Sequence, residues 1–487
     1  MPGEIITLQV GQCGNQVGEQ FWSQISKEHG ISMQDQGKRD IEPNEYTDDL
    51  PDVFFQKLDD ERYTPRAILI DFEPRVVNGI NNRYNNFFNP NNLFISGDGG
   101  GASNNWTQGY NLGNTHKDEI MDMVNKELDK CDSFEGFQMI HSVAGGTGSG
   151  CGSFLLEELN DLFDKNLITT YSVFPRMGVS SEVVVQPYNQ ILSLKRLIES
   201  SDVNIVFDNA SLTSIASNNL KTDSPSYEDC NQLISTVMSG LTNTLRFPNY
   251  SYSSLTSIFS TLIPTPDLQF LIPSFTPFTK DYVSNPKDIR RSNSYDVIVD
   301  ILDKKLRMFG NDITQGANSG MYLSILDILI GDNVEQNDIQ KALIKARSRV
   351  QFVPWSSSAI NLSIGNRSPF LNRSQFHNSV IQKQHQQNHL QQQQQQQQVS
   401  GLMLSNTTSI NNLFNKILKD YDSFMKRGAY LNWYQNKEFE KLNGDIMAEF
   451  SDSREIFHKV IQEYKNCESI SYLDDDEDDD VDLEEYN

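Results

Sequence analysis

The segment best suited to chemistry is Ala144–Gly150, AGGTGSG, which combines four glycines with two hydroxyl side chains. Glycines let a backbone turn direct several N–H groups at one anion, and Thr147 and Ser149 can add hydroxyl donors. A helix that begins after such a turn adds the positive end of its dipole. Because the segment lacks the lysine of the P-loop pattern GxxxxGK[ST], it predicts a phosphate-binding turn of another kind. The alternative is a purely structural glycine turn.

Other polar segments could supply further contacts to a ligand. Gly97–Asn105, GDGGGASNN, offers three consecutive glycines and two amides, with a flexible loop as the alternative. Gly11–Gly14, GQCG, lies between a predicted strand and a predicted helix, and it does not fit the GxGxxG pattern of a Rossmann dinucleotide site. Asp71 and Glu73 follow another predicted strand, where carboxylates suit Mg²⁺ or a metal-bound water. A solvated strand end or a helix cap is the alternative for these two acids.

The elements that must position these segments alternate between short apolar runs and amphipathic stretches. Helices are predicted at Val17–His29 and Gly152–Phe163. Strands are predicted at Glu4–Val10, Arg66–Phe72, Leu93–Ser96, Phe137–Val143, Ile168–Phe174 and Val203–Phe207. This alternation predicts an α/β fold with a doubly wound, mostly parallel sheet. Such a sheet binds its ligand at the carboxyl ends of its strands, where the glycine-rich segments all lie.

The second half of the chain predicts a mixed α/β region followed by helices. A long apolar helix is predicted at Glu228–Leu245. Strands are predicted at Leu268–Ile272, at Met321–Ile330 and in the run GLMLSNT. Helices are predicted at Gln336–Val350, at about 410–425 and at about 452–466. In the last of these helices, Asp452 and Glu455 are near a capping-box arrangement. Residues 372–399 hold 13 glutamines, which is typical of a disordered insertion.

Composition excludes several classes of protein. The chain has 487 residues and a net charge of −25, which argues against a nucleic-acid binder because phosphate neutralisation needs a cationic face. The sequence contains no apolar run long enough to predict a membrane span or a secretory leader. The five cysteines form no CxxC pair, so free thiols in a reducing cytosol are expected. Ten acids and no base lie between residues 474 and 487, which predicts a solvated acidic tail.

Several ordered motifs together resemble the tubulin family, most closely its gamma type. AGGTGSG matches the tubulin signature, with Ala144 where alpha- and beta-tubulin usually have glycine. The other matching motifs are MPGEIITLQVGQCGNQVG, DFEPR, GGGASNNW, VVVQPYN, LIPTP, FVPW and SGLMLSNTTSI. The resemblance covers nearly the whole chain apart from the glutamine-rich insertion and the acidic tail.

This resemblance implies a tubulin-like domain layout. The expected segments are a GTP-binding domain at 1–227, a central helix at 228–246, an intermediate α/β domain at 247–371 and 400–407, the disordered insertion at 372–399, a C-terminal helical domain at 408–466 and the acidic tail at 467–487. The implied cofactors are GTP or GDP and Mg²⁺.

The resemblance also implies which residues surround the nucleotide. They are Gln12, Cys13, Ala102, Ser103, Asn104, Ser142, Ala144, Gly145, Gly146, Thr147, Gly148, Glu182, Asn209, Tyr227 and Asn231. Residues 102–104 and 145–148 would approach the phosphates from two loops. Glu73 would hold Mg²⁺ through water, and Glu182 would lie near the ribose. Asn209 and Asn231 would read the guanine edge, which offers both donors and acceptors, and Tyr227 would stack on its face.

The implied function is nucleation of microtubules at organising centres, the centrosome or spindle pole. The implied partners are accessory proteins of the gamma-tubulin complex, laterally associated copies in a ring, and alpha/beta-tubulin dimers, with neither nucleic acid nor membrane.

One segment departs from alpha-tubulin, which has a hydrolysis-promoting carboxylate there. The stretch 247–257, FPNYSYSSLTS, contains no acid, and Ser257 occupies the acidic position. A hydroxyl is a poorer general base than a carboxylate, so weak GTP hydrolysis at most is expected.

Two alternatives remain open at this point. The first is a divergent alpha- or beta-like tubulin that forms the filament lattice and hydrolyses GTP. The missing acid at residue 257 counts against it. The second is an unrelated nucleotide-dependent metabolic enzyme on the same kind of sheet, since a fold does not determine a function. No HExxH, GxSxG or clustered histidines supply a second-substrate site for such an enzyme.

Overall fold

The structure is a computed structural model, and it describes most of the chain. The described residues are 3–39, 48–97, 100–176, 183–219, 224–247, 251–277, 293–310, 320–331, 334–370, 399–435, 439–441 and 444–473. Glu182, the glutamine-rich insertion except its last residue, Val399, and residues 474–487 of the predicted acidic tail lie outside these ranges.

Fourteen strands are found in the described residues. They are β1 (Glu4–Val10), β2 (Ile31–Ser32), β3 (Lys38–Arg39), β4 (Phe55–Lys57), β5 (Tyr63–Pro65), β6 (Ala67–Asp71), β7 (Leu93–Ile95), β8 (Phe134–Ser142), β9 (Leu167–Phe174), β10 (Val203–Asp208), β11 (Phe270–Thr276), β12 (Tyr322–Ile330), β13 (Ile360–Gly365) and β14 (Ser400–Thr407). The strands predicted from apolar runs are all present, with shifts of a few residues at their ends.

Ten of these strands form one sheet in the order β13-β12-β14-β11-β10-β9-β8-β1-β6-β7. β14 runs antiparallel to both of its neighbours, and the other pairs are parallel. The central strands are buried on both faces, which explains their continuous apolar sequences. The predicted α/β fold with a mostly parallel sheet is therefore confirmed. The sheet also continues into the second half of the chain, so the predicted domain boundaries stay a prediction.

Fourteen α-helices that lie wholly within the described residues accompany the sheet. They are α1 (Gly11–Glu28), α2 (Pro74–Tyr84), α3 (Trp106–Thr115), α4 (Lys117–Leu128), α5 (Gly152–Leu162), α6 (Gln186–Ser200), α7 (Asn209–Asn219), α8 (Tyr227–Leu241), α9 (Asn243–Arg246), α10 (Leu255–Phe259), α11 (Ser294–Ile301), α12 (Gln336–Arg347), α13 (Asn411–Arg427) and α14 (Ile446–Asn466). No helix in these ranges has the length and apolar character needed to cross a membrane.

The helices cover both faces of the sheet and bury two main apolar cores. One core takes side chains from α3, α4, α5, α6, α13 and α14. The other takes side chains from α1, α2, α7, α8 and α10. This double coverage is what a doubly wound sheet requires, because each face of a parallel sheet must be shielded from water. It leaves the strand ends as the open edge where a ligand can bind.

Three helix predictions differ from the structure. The first helix begins at Gly11 rather than Val17, so GQCG is its first turn and not a connecting loop. Glycine at position 14 is a packing requirement, because a side chain there would collide with the carbonyl oxygen of Ile140 on β8. The long central helix is interrupted at Thr242, between α8 and α9.

The last helix begins six residues earlier than predicted, at Ile446 rather than near residue 452. The side chain of Asp445 caps it by accepting the N–H of Met447 at 3.0 Å. The suggested capping arrangement of Asp452 and Glu455 is therefore wrong, because both residues lie inside α14.

Candidate nucleotide-binding site

The glycine-rich turn Ala144–Gly150 leaves the carboxyl end of β8. Its second half is already helical, because Thr147–Cys151 forms one turn of π-helix that continues into α5. Ser142 Oγ accepts the first N–H of the turn at 3.3 Å, and the hydroxyl of Ser149 donates to the carbonyl of Gly145. The turn is thus a strand-to-helix junction whose N–H groups lie at the positive end of α5, as anion binding requires.

The two glycines at the start of this turn have opposite surroundings. A Cβ on Gly146 would lie 2.6 Å from the carbonyl oxygen of Ala102 and 2.8 Å from the backbone nitrogen of Asn105. A Cβ on Gly145 would meet nothing within 4 Å. Gly146 therefore packs directly on the neighbouring loop, whereas Gly145 borders open space that a phosphate could occupy.

Asn189 on α6 holds these two loops together. Its fully buried side-chain amide donates to the carbonyl oxygens of Ala144, at 2.8 Å, and Asn104, at 2.9 Å. Its oxygen accepts the N–H of Trp106 at 3.1 Å and the hydroxyl of Tyr434 at 2.6 Å. One side chain thus connects the glycine-rich turn, the loop before α3 and the C-terminal helical region. Sequence reasoning did not single out this residue, although it closes the motif VVVQPYN.

The loop before α3 has a strained backbone at the site. Ser103 and Asn104 have φ of 48° and 55°, in the left-handed region that residues other than glycine seldom adopt. Both side chains are exposed. Asn105 then caps α3 by accepting the N–H of Thr107 at 2.9 Å, and its amide donates to the carbonyl of Trp433 at 2.7 Å. Such outliers cluster at ligand-binding loops, which makes this loop a phosphate-site candidate.

Asp71 and Glu73 lie at the carboxyl end of β6, beside the same loop. Asp71 Oδ1 accepts the N–H of Glu73 at 3.3 Å, while the buried Oδ2 has no hydrogen-bond partner in the described chain. Burial raises the pKa of Asp71 to about 6, and the negative charge of Glu73 adds to the shift. Gly101 of that loop packs against Glu73, because a Cβ on Gly101 would lie 2.5 Å from Glu73 Oε1. Two carboxylates beside a phosphate loop, one with an unsatisfied oxygen, fit a hard cation such as Mg²⁺.

Two further parts of the molecule border the glycine-rich turn. They are the first turn of α1, where a Cβ on Gly11 would lie 2.9 Å from the backbone nitrogen of Gly148, and His141 on β8. Gln12 is exposed on the first turn of α1, next to Cys13. Burial raises the pKa of the Cys13 thiol to about 12, so this thiol stays neutral and is not a nucleophile. His141 Nδ1 donates to the carbonyl of Gly148 at 3.0 Å, and Ser172 Oγ lies 2.8 Å from Nε2. Because burial lowers the pKa of His141 to about 4, it supports the turn as a neutral ring.

The residues predicted to bind the base lie on two adjacent helices. Asn209 begins α7 at the carboxyl end of β10, where Asp208 fixes the start of the helix by accepting the N–H of residue 210 at 3.0 Å. Tyr227 begins α8, and its side chain is 71% exposed. Asn231 lies one turn further along α8, on the same face as Tyr227. The predicted ribose contact, Glu182, lies outside the described residues.

Comparison with known proteins agrees with this architecture. Residues 4–217 match the model of the Tubulin/FtsZ family, GTPase domain, and residues 266–419 match the tubulin C-terminal domain. The GTPase match supports GTP or GDP as the cofactor.

Curated relatives match over almost the entire chain. A tubulin gamma chain of Eremothecium gossypii is 46% identical over 98% of this chain and 95% of its own length. Tubulin gamma chains of Candida glabrata and Saccharomyces cerevisiae are 44% and 43% identical over 98% of this chain, and over 96% and 95% of their own lengths. These matches confirm the resemblance drawn from the motifs, and the chain belongs to the tubulin family.

Proposed function

We propose that this protein nucleates microtubules by binding a guanine nucleotide at the carboxyl edge of its sheet and templating the addition of alpha/beta-tubulin dimers. The observation that carries the proposal is the segment 247–257, which lacks the acid of a lattice-forming alpha-tubulin. The gamma-chain names of its relatives support the same reading. The expected sites of action are the cytoplasmic microtubule organising centres, the centrosome or spindle pole.

The proposed contacts divide the cleft into three parts. Backbone and hydroxyl groups of 102–104 and 144–148, with Ser142, would bind the phosphates, and Gln12 and Cys13 would lie beside them. Glu73 would hold Mg²⁺ through water, with the Asp71 carboxylate behind it. Asn209, Tyr227 and Asn231 would bind the guanine, and Glu182 would approach the ribose. Bound Mg²⁺ would neutralise phosphate charge, which backbone dipoles do only in part.

The hydroxyl at the missing-acid position is already engaged. Ser257 Oγ donates to the carbonyl of Ser254 at 2.7 Å and accepts the N–H of the same residue at 3.3 Å, which closes a capping box on α10. A carboxylate from elsewhere also reaches this segment, because Glu135 accepts the N–H of Leu255. Burial raises the pKa of Glu135, and its carboxylate serves as a helix cap. Neither group is placed to act as a free base, so weak GTP hydrolysis is expected.

A protein of this kind would act at filament ends. It would associate laterally with further copies and with accessory proteins of the gamma-tubulin complex, and present one face to alpha/beta-tubulin. A lattice-forming tubulin would instead need a base on this segment to hydrolyse GTP in the adjacent subunit, and the engagement of Ser257 disfavours that function.

Depletion in cells tests the proposal. Microtubules are depolymerised in the cold and allowed to regrow after the protein has been removed. We expect no new microtubules at the organising centre, with regrowth restored by the wild-type chain. Normal regrowth without the protein would overturn the proposal. Labelling along whole microtubules, rather than at their origins, would favour the lattice-forming alternative.

A further inference from the structure

The second half of the chain forms a polar cavity whose lining residues are far in sequence from those of the nucleotide cleft. It has a volume of about 530 Å³ and lies between the end of α11, the start of β12 and the segment after α12. Its charged lining residues are Asp300, Asp303, Lys304, Arg307 and Arg349. Three cations against two acids give the lining a net charge of 3 − 2 = +1, in a chain whose net charge is −25. We call this cavity the basic pocket.

Arg307 is the deepest of these cations and is only 3% exposed. It donates to the hydroxyl of Tyr322 and, at 3.2 Å, to Ser409 Oγ, and its guanidinium carbon lies 5.2 Å from the centre of the Tyr322 ring. Both acceptors are neutral, and its Nε–H has no hydrogen-bond partner in the described chain. A buried cation is normally paired with a carboxylate or phosphate, because its desolvation is unfavourable without a counter-charge.

The remaining donors of Arg307 suit one particular ligand group. A guanidinium carries five N–H donors, so the Nε–H and further Nη hydrogens stay available after the two hydroxyl contacts. Such a fork matches the two oxygens of a carboxylate. Lys304 and Arg349 are exposed at the rim, where they could attract further acidic groups. Both acids are engaged: Asp303 caps the turn at 304–306 by accepting the N–H of Lys305 at 3.1 Å, and Asp300 has a partner of its own.

The basic pocket lies close to the end of the described chain. Thr408, next to the Arg307 contact Ser409, donates its hydroxyl to Glu468 Oε1 at 2.5 Å. On the segment after α12, the indole of Trp355 donates to the carbonyl of Cys467 at 2.8 Å, and its ring stacks on Tyr472 at 5.0 Å. The ten acids of residues 474–487 follow immediately in the sequence.

We propose that the basic pocket binds carboxylates of an acidic peptide, one of them on the guanidinium of Arg307 and others on Lys304 and Arg349. The occupant that we assign is the segment 474–487 of the same chain, because its ten acids follow directly on residues that contact the surroundings of the pocket. The acidic body of the protein repels such peptides in general, so binding requires this local reversal of charge. The proposal uses no residue of the nucleotide cleft and does not depend on nucleation.

The test uses the full chain with the ten acids of 474–487 replaced by their amides, and a fluorescein-labelled peptide of residues 474–487 as the probe. Fluorescence anisotropy should show saturable binding. The double variant Lys304→Glu, Arg349→Glu should weaken it at least tenfold. The control Lys341→Glu, Lys345→Glu makes the same charge change on exposed residues of α12 and should bind like its parent. Equal weakening by both double variants, or no binding by the parent, would overturn the proposal.

Two further variants test the role of Arg307 and identify the source of the ligand. Arg307→Lys keeps the charge but loses the fork, so it should weaken peptide binding; unchanged binding by a folded Arg307→Lys protein would remove Arg307 from the proposal. The chain with its natural acids identifies the source of the ligand. If it binds the peptide at least tenfold more weakly than the amide variant, its own acids occupy the basic pocket. If the two bind equally, the chain's own acids do not occupy the pocket, which would overturn the assignment to 474–487 and leave an acidic segment of a partner as the ligand.

Discussion

The proposed phosphate end and the proposed base end of the nucleotide cleft are built in different ways. At the phosphate end, backbone segments from β8, α1 and the loop before α3 pack directly on one another, and buried side chains such as Asn189 tie them together. At the base end, the proposed contacts are side chains at the starts of two helices, and Tyr227 is 71% exposed. The phosphate end is thus part of the folded core, whereas the base end is a surface feature added to it.

This difference separates stability from specificity. Substitutions of the packed residues at the phosphate end, such as Gly146 and Asn189, should weaken the fold and nucleotide binding together, because the same atoms serve both. Substitutions at the base end should change affinity while leaving the fold intact.

Gly146→Ala should have the largest effect. Its new methyl group would lie 2.6 Å from Ala102 O and 2.8 Å from Asn105 N, which are backbone atoms that cannot move alone. We expect a loss of about 3 kcal/mol or more in the free energy of unfolding and roughly 100-fold in nucleotide affinity. Chemical unfolding and nucleotide titration measure the two effects.

Gly145→Ala is the matched control, because its methyl group would meet no protein atom within 4 Å. It should leave the free energy of unfolding without nucleotide nearly unchanged and act on nucleotide affinity alone. If Gly146→Ala were as stable as Gly145→Ala, the tight packing around Gly146 would not contribute to the free energy of unfolding.

Asn189→Ala should come next. It leaves the carbonyls of Ala144 and Asn104 and the N–H of Trp106 without their buried partner, at about 1 kcal/mol or more each. We expect the free energy of unfolding to fall by about 3 kcal/mol in total. Asn218→Ala removes an exposed amide on α7 and should change it by less than about 0.5 kcal/mol. Equal effects of the two variants in thermal unfolding would show that Asn189 does not stabilise the contact between the two loops.

Asp71→Asn should remove a pH dependence. Burial raises the pKa of Asp71 from 3.8 to about 6, so the carboxylate is available to Mg²⁺ only above that pH. Below pH 6, Mg²⁺-dependent nucleotide retention in the wild type should fall by up to about tenfold per pH unit, and in the variant it should be weaker and flat. Retention is measured between pH 5 and pH 8.

The same group has a second, opposite signature in the protein without nucleotide. The folded state holds a proton that the unfolded chain has lost between pH 4 and pH 6, so stability should fall as the pH rises through this window. Asp71→Asn should abolish that fall. A fall of equal size in the variant would assign it to another group.

Tyr227→Ala should have the smallest effect. Loss of stacking should weaken guanine-nucleotide binding by about 1 kcal/mol, or roughly fivefold, without changing the melting temperature of the nucleotide-free protein. Tyr227→Phe keeps the ring and should bind like the wild type. A large loss of stability on Tyr227→Ala would contradict the division between the two ends.

The two ends also differ in how far the sequence could predict them. The strand-to-helix position of AGGTGSG is a local signal, and the structure confirms it. The bonds of Asn189 span up to 245 residues, so no local pattern could reveal them. The start of α1 was predicted too late because Gly11 and Gly14 were interpreted as a loop, whereas they allow close packing on neighbouring backbone. The base residues came from the resemblance alone, since isolated asparagines and a tyrosine carry no signal of their own.

The most direct test of the proposed nucleotide site is to identify the nucleotide that the protein carries. The purified wild-type protein and the Gly145→Ala and Gly146→Ala variants are denatured, and the released nucleotide is separated by ion exchange. We predict that the wild type releases stoichiometric GTP or GDP and that Gly146→Ala releases almost none. Release of adenine nucleotides, or undiminished guanine nucleotide from Gly146→Ala, would contradict the account.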